Sequence, residues 1–125
     1  GGGAGGGRYR RSVLEVAILA SLADTTSHGY DLVERIGAMV GELVCLDSGT
    51  MYRMLRGMEE AGLVSSSWQT AEAGPSRRVY TITEEGLAVL RSMAAGLSER
   101  AAALERLAAQ ALAAAERSDK MEAAT

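Results

Sequence analysis

Phenylalanine is absent from this 125-residue chain, and cysteine, histidine, proline, tryptophan and lysine each occur once. Each shortage excludes something. A single cysteine, Cys45, rules out an intramolecular disulfide and fits a reducing compartment. Among Leu43, Val44 and Leu46 it reads as a small apolar residue. A single histidine, His28, leaves Ser-His-Asp and Cys-His arrangements with one base and no orienting partner. One Cys and one His are too few for a metal site. The adjacent pairs Glu59-Glu60 and Glu84-Glu85 do not face each other on helices, so they read as solvated faces. The glycines at the start precede no strand and carry no nucleotide-binding signal. The expectation is a chain without catalytic residues, metal or cofactor, and not an enzyme. No signal-peptide pattern and no apolar run of about 18 residues is found, so no membrane span and a cytoplasmic location are expected.

What is present bounds the rest. The chain is 47% hydrophobic but 4% aromatic, so a core must be built from Leu, Val, Ile, Met and Ala. The length fits one domain, or one domain plus an extension. The net charge of −3 advertises no global positive field. Distribution matters more: Arg8, Arg10, Arg11, Arg53, Arg56, Arg77 and Arg78 fall in three patches. Nearly all the basic residues are arginine, which suits phosphate or carboxylate recognition and equally suits a GC-rich genome.

The stretch from Gly49 to Val64 organises the remainder. At helical period Met51, Leu55 and Met58 form an apolar stripe, while Gly49, Arg53, Arg56 and Glu60 lie on another face with Thr50 and Tyr52 near the start. Ser48 is the expected N-cap and Gly62 the expected stop. Alone, such a helix is either an ordinary amphipathic surface helix or one laid in a DNA major groove.

The neighbours bear on that choice. Residues 1–7 are glycine-rich and read as a flexible tail. Arg8-Tyr9-Arg10-Arg11 is either an arm reaching DNA or the solvated opening of a first helix. Val13 to Ala23 is apolar on almost every side, which predicts burial on every side and, in so small a domain, packing of Leu14 and Ile18 against a second subunit. A capped loop at Asp24-Thr25-Thr26-Ser27 leads into a helix with Leu32, Ile36, Met39 and Leu43 at spacings of 4, 3 and 4. A short link then enters the Gly49 helix, which is the helix-turn-helix pattern. After Gly62 the period changes. A Ser-rich run from Val64 to Ala71, a Gly74-Pro75 turn signal, and Arg77-Arg78-Val79-Tyr80-Thr81-Ile82-Thr83 predict a β-hairpin with Tyr80 and Ile82 on one face. A hairpin directly after a candidate reading helix is a wing. From Thr83, Leu87, Leu90, Ala94, Leu97, Ala101, Leu104, Ala108, Ala111 and Ala115 alternate at 3 and 4, a heptad seam that calls for a partner helix.

Certain motifs carry a family likeness. His28-Gly29-Tyr30-Asp31-Leu32, Ser48-Gly49-Thr50-Met51-Tyr52-Arg53-Met54-Leu55, Glu60-Ala61-Gly62-Leu63-Val64, Arg77-Arg78-Val79-Tyr80 and Thr83-Glu84-Glu85-Gly86 occur in order across roughly residues 13 to 92. Together they resemble the PadR family of bacterial transcriptional regulators, in its short subgroup with one C-terminal helix. The resemblance implies a winged helix-turn-helix dimer, usually a repressor, bound to a palindromic operator and released by a small molecule. Two departures stand out. Many relatives have proline where Arg53 stands. Multidrug-binding relatives sandwich planar drugs with an aromatic on the C-terminal helix, and residues 84–125 contain none.

The expected fold is mainly α with a small β-hairpin: a winged helix-turn-helix plus a long C-terminal dimerisation helix. The expected segments are a flexible Gly-rich and basic tail (1–11), the winged domain (12–83), the dimerisation helix (84–117) and a disordered tail (118–125). Expected DNA-contacting residues are Tyr30, Ser48, Gly49, Thr50, Tyr52, Arg53, Arg56, Arg77 and Arg78, with Tyr30 and Tyr52 suited equally to the DNA face or the core. Expected dimer residues are Leu14, Ile18, Leu90, Leu97, Ala101, Leu104 and Ala108. The expected partners are double-stranded DNA, a second copy of the chain and a small-molecule effector. Two other readings compete: a winged-helix protein-interaction module, and an effector sensor with its pocket between the first helix, Trp68 and the Met residues.

Overall fold

The computed structural model describes residues 3–24, 27–41, 43–44, 47–70 and 74–124, with the backbone alone for 3–10 and 27–30. Expectations placed on Cys45, Leu46 and residues 71–73, and on the side chains of Arg8, Arg10, His28 and Tyr30, lie outside what is described. The elements in order are α1 (Gly3–Asp24), β1 (Ser27–His28), α2 (Gly29–Val40), α3 (Ser48–Glu60), β2 (Val64–Gln69), β3 (Arg77–Ile82) and α4 (Glu84–Ala124). The chain divides into two compact units, 1–93 and 94–125.

The first unit is a helical layer over a small antiparallel sheet of order β1-β3-β2. Its core holds Leu14, Ala17, Ile18 and Leu22 from α1, Leu32, Ile36 and Val40 from α2, Met51, Leu55 and Met58 from α3, and Val64 and Tyr80 from the hairpin. Each fully buried aliphatic side chain contributes about 1.5–3 kcal/mol of transfer free energy, so these dozen positions dominate stability. The absence of phenylalanine is met by branched aliphatics and by Met51 and Met58, whose flexible thioethers fill irregular gaps.

Several expectations are corrected. Ile18 is 0% exposed and Leu14 5% within the single chain. Packing of α1 against α2 and β3 supplies the cover that a second subunit was expected to give. The buried stripe runs Leu32, Ile36 and Val40 on α2 and is joined by Val44 beyond its end, whereas Met39 and Leu43 are exposed. The chain leaves the helix after Val40, where the amide of Val44 reaches the Val40 carbonyl at 3.0 Å and turns Val44 inward. The segment expected as loop before α2 contains β1, with Ser27 opposite Tyr80 and His28 opposite Val79. Two residues are too few to show period 2. Helix α1 begins at Gly3, inside the stretch read as a flexible tail, and α4 runs to Ala124 through residues expected to be disordered. Once a helix is nucleated by an anchored segment, each further residue adds one backbone hydrogen bond, so ends extend past the point that composition suggests.

The joint that holds α3, the hairpin and α4 together is built from two glycines and a threonine. Helix α3 stops in a Schellman motif. The Leu63 amide donates to the Met58 carbonyl at 2.9 Å and the Gly62 amide to the Glu59 carbonyl at 3.0 Å, with Gly62 at φ +81°. The Thr83 amide donates to the Leu63 carbonyl at 3.0 Å. The Thr83 hydroxyl lies 2.7 Å from the Gly62 carbonyl and 3.0 Å from that of Leu63, and accepts from the Gly86 amide at 3.0 Å, capping α4. Gly86 is buried, and a Cβ there would collide with the Leu63 carbonyl. Val89, Leu90 and Met93 then pack on the core.

The second unit is the remainder of α4. Ala101, Leu104 and Ala108 of the expected seam are exposed, as are Leu107, Leu112 and Met121, while Leu97 is half-buried. Leu90, also expected at a dimer contact, is instead partly buried against the chain's own core.

Candidate nucleic-acid interface

Helix α3 carries the expected two faces. Met51, Leu55 and Met58 are buried. Ser48, Gly49, Arg53 and Arg56 are exposed, Thr50 is half-buried, and Tyr52 is 41% exposed. Tyr52 therefore belongs to the outer face, and among the described side chains the phenol that enters the core is Tyr80. Burial pushes the Tyr80 phenol above its ordinary value, with Glu59 and Tyr52 adding to the rise and the Arg78 guanidinium opposing it.

The helix starts one residue earlier than expected. Asp47, not Ser48, is the N-cap: its carboxylate accepts from the Thr50 amide at 2.8 Å and the Thr50 hydroxyl at 3.1 Å. The reason lies at the third helical position. With Asp47 as cap, Thr50 sits there and its hydroxyl supplies a second hydrogen bond; with Ser48 as cap, Met51 would sit there and offer none. Accepting first from the Thr50 amide and then from its hydroxyl holds the Asp47 carboxyl below the ordinary aspartate value.

The same group orients the first arginine. Arg53 Nη2 donates to the Thr50 hydroxyl at 3.2 Å, so Asp47, Thr50 and Arg53 form a relay at successive spacings of three. A Cβ on Gly49 would sit 3.2 Å from Asp47 Oδ1 and 3.6 Å from Arg53 Nη1. Glycine at this position leaves both polar groups room. Arg56, on the same side of the helix, is exposed and has no partner of this kind among the described residues.

The hairpin pairs in full register, Val64 opposite Ile82 through Gln69 opposite Arg77. Alternation along β3 puts Arg78 on the face of Tyr80 and Ile82, and Arg77 on the other. The two arginines therefore separate. Arg77 is exposed at the strand start. Arg78 lies over Trp68, its guanidinium carbon 5.5 Å from the ring centroid, and reaches Ser66 and Glu59. Glu59, read from the sequence as part of a solvated face, is half-buried and bonded to Ser66 and Arg78, and sequence reasoning did not single out Asp47 or Ser66. Asp47 carried a legible signal, a capping residue three before a threonine; Glu59 and Ser66 become partners only when the hairpin folds back on α3.

A cavity of about 610 Å³ lies on the opposite flank of α3. Leu14 and Glu15 of α1 line one wall, and Thr50, Arg53, Met54 and Met58 of α3 the other. Of the walls expected for an effector pocket, the first helix and two methionines line it; Trp68 does not, and is 65% exposed on the hairpin. Among the described residues no group of three or more His, Cys, Asp or Glu could hold a metal ion.

A helix-turn-helix with an arginine-bearing outer face, a three-stranded wing and a fourth helix locked to α3 through Thr83 and Gly86 can be compared with known proteins. The model of the Transcriptional regulator PadR-like family matches residues 18–92. The chain belongs to this family. A probable transcriptional regulator of Mycobacterium tuberculosis is 34% identical over 74 residues, covering 59% of this chain and 39% of that protein. The chain thus spans about two fifths of the length of that curated relative. A putative transcriptional regulator from Thermoplasma acidophilum has a similar structure, with a TM-score of 0.71, 28% identity, and coverage of 80% of this chain and 94% of the other. A PadR family regulator from Eggerthella lenta gives 0.66 at 28% identity, covering 80% and 85%. Bacillus subtilis PadR, solved in complex with operator DNA, shares the fold at a TM-score of 0.58 and 22% identity, over 63% of this chain and 45% of that one. Members of the family are transcriptional regulators rather than enzymes. No described helix is long and apolar enough to cross a membrane.

Proposed function

We propose that this chain is a homodimeric, operator-binding repressor of the bacterial cytoplasm whose α3 lies in the major groove. The observation that carries the reading is the division of α3: Met51, Leu55 and Met58 lock one face into the core, and Arg53, Arg56 and Tyr52 stand on the other. Arg53, oriented through Thr50, can meet guanine O6 and N7 with two N–H groups. Ser48, Thr50, Arg56 and Tyr52 suit phosphate or base-edge hydrogen bonds around it, Gly49 lets the backbone come close, and Arg77 adds a wing contact that fixes register. Tyr30 stays with this set on the family likeness.

Dimerisation is supported by the α4 residues Leu104, Leu107 and Leu112, apolar and exposed in the single chain. A twofold axis would set the two α3 helices about 34 Å apart, one turn of duplex. Release by a small molecule is supported by the cavity between α1 and α3, because Thr50 and Arg53 line it and also serve the reading face. A molecule with an apolar body seated on Leu14, Met54 and Met58 would compete for the Arg53 guanidinium.

The test is a salt series. The full chain is titrated against duplex selected by it from random sequence. Specific DNA binding requires that affinity fall steeply and linearly in log–log form as salt rises. Arg53→Ala should cost about 1–3 kcal/mol and relax preference at one base pair per half-site. Selection that enriches no sequence, or binding indifferent to salt, would overturn the reading in favour of a protein-interaction module.

A further inference from the structure

The wing is fastened to the reading helix by a polar cluster of which the DNA reading uses only Arg78. It draws on three elements: Glu59 from α3, Ser66 and Trp68 from β2, and Arg78 from β3. The Ser66 hydroxyl donates to Glu59 Oε2 at 2.6 Å. Arg78 Nε donates to the Ser66 hydroxyl at 2.9 Å, and Arg78 Nη2 to Glu59 Oε1 at 3.4 Å. The guanidinium is stacked over Trp68, whose residue is the direct cross-strand neighbour of Arg78.

We propose that Glu59 is a positioning residue for DNA binding, acting through Arg78: it sets the angle of the wing against α3 and holds one guanidinium in place before the duplex arrives. Stability alone does not account for the cluster, since ion pairs as exposed as this one contribute little. Its effect is on order. The long Arg78 side chain is held by a carboxylate, a hydroxyl and a ring face, yet keeps donors to spare from its five N–H groups. A phosphate can take those donors without the entropy loss of freezing a free arginine. The neighbouring Arg77 faces the other way and is not held by such a cluster among the described residues. The Arg-Arg pair is therefore divided: Arg78 is aimed in advance, and Arg77 is a loose charge.

This inference rests on the DNA reading above, and the sign of one effect separates the two. Simple electrostatics says that removing an acid beside a DNA-binding wing tightens binding. The positioning role says that it weakens binding. The experiment uses the full chain, the duplex selected by the wild type, and a salt series for Glu59→Gln, Arg78→Lys, Arg77→Lys and the Glu59→Gln/Arg78→Lys double variant. Glu59→Gln should weaken binding about 3–10-fold, as expected from losing one pre-ordered side chain. Arg78→Lys should weaken it similarly with charge conserved, because an ammonium cannot span Ser66, Glu59 and the Trp68 face together. Arg77→Lys should weaken binding less than Arg78→Lys does, because a loose charge contact keeps its charge. The double variant should be no weaker than the worse single one. Thermal melts should show all four folded. If Glu59→Gln does not fold, Ser66→Ala removes the bridging hydroxyl without touching charge and should weaken binding in the same direction. Glu59→Gln (or, in its place, Ser66→Ala) binding as tightly as wild type or tighter, or equal losses at Arg77 and Arg78, overturns the proposal. A wild-type chain that selects no duplex fails the DNA reading itself.

Discussion

Two glycines of α4 should respond in opposite directions to the same substitution. Gly86 sits where the first turn of α4 crosses the Gly62–Leu63 turn. A methyl group there would collide with the Leu63 carbonyl and stand 2.7 Å from Ile82 Cγ1. The first obstacle is backbone, which cannot rotate aside. It is also pinned, because the Leu63 carbonyl accepts from the Thr83 amide and lies within reach of the Thr83 hydroxyl. Relief would require α4 to move off the turn, breaking the Thr83 cap or drawing Val89 and Leu90 from the core. Overpacking of this kind costs about 1–3 kcal/mol. With about 4–8 °C per kcal/mol for a domain of this size, Gly86→Ala should lower Tm by roughly 5–20 °C. Gly96, ten residues later in the same helix, has open space around it: a Cβ there would meet nothing within 4 Å. Gly96→Ala should stabilise by about 0.5–1 kcal/mol, the difference in helix propensity. Circular-dichroism melts at matched chain concentration measure both, the matching being needed because association shifts apparent stability. A Gly86→Ala variant that melts at or above the wild-type temperature refutes the argument.

Other expectations follow from the same geometry. Asp47 has a lowered folded pKa, so its contribution is present above the ordinary aspartate value and lost as pH falls through the folded one. Asp47→Asn should flatten the acid limb of stability between those two values, seen by denaturant titration across pH, while neutral-pH affinity for DNA falls as Arg53 loses its support. Leu104→Arg keeps helix propensity but puts charge in the α4 seam; sedimentation velocity should show the wild type dimeric and this variant shifted to monomer. A wild type that sediments as a monomer at micromolar concentration would remove the seam from the account.

The elements were legible in the sequence wherever one period ran without interruption. Met51, Leu55 and Met58 identified the buried face of α3, and Tyr80 with Ile82 the inner face of β3, because spacing alone sets which side chains share a face. Gly62 marked the helix stop, since few other residues take positive φ there. The shortage of Cys and His restricted the chemistry before any fold was known. Tertiary structure decided what depends on contacts between distant segments. α1 is apolar all round, a property equally suited to a partner subunit or to the cover that α2 and β3 in fact provide. Arg77 and Arg78 are adjacent and chemically identical, so nothing local distinguishes them. Strand alternation turns one towards Glu59, 19 residues away, and only the folding of the hairpin onto α3 makes that acid its partner. Local periodicity is written in the order of residues; the pairing of charges and caps is written in which distant residues the packed core brings together.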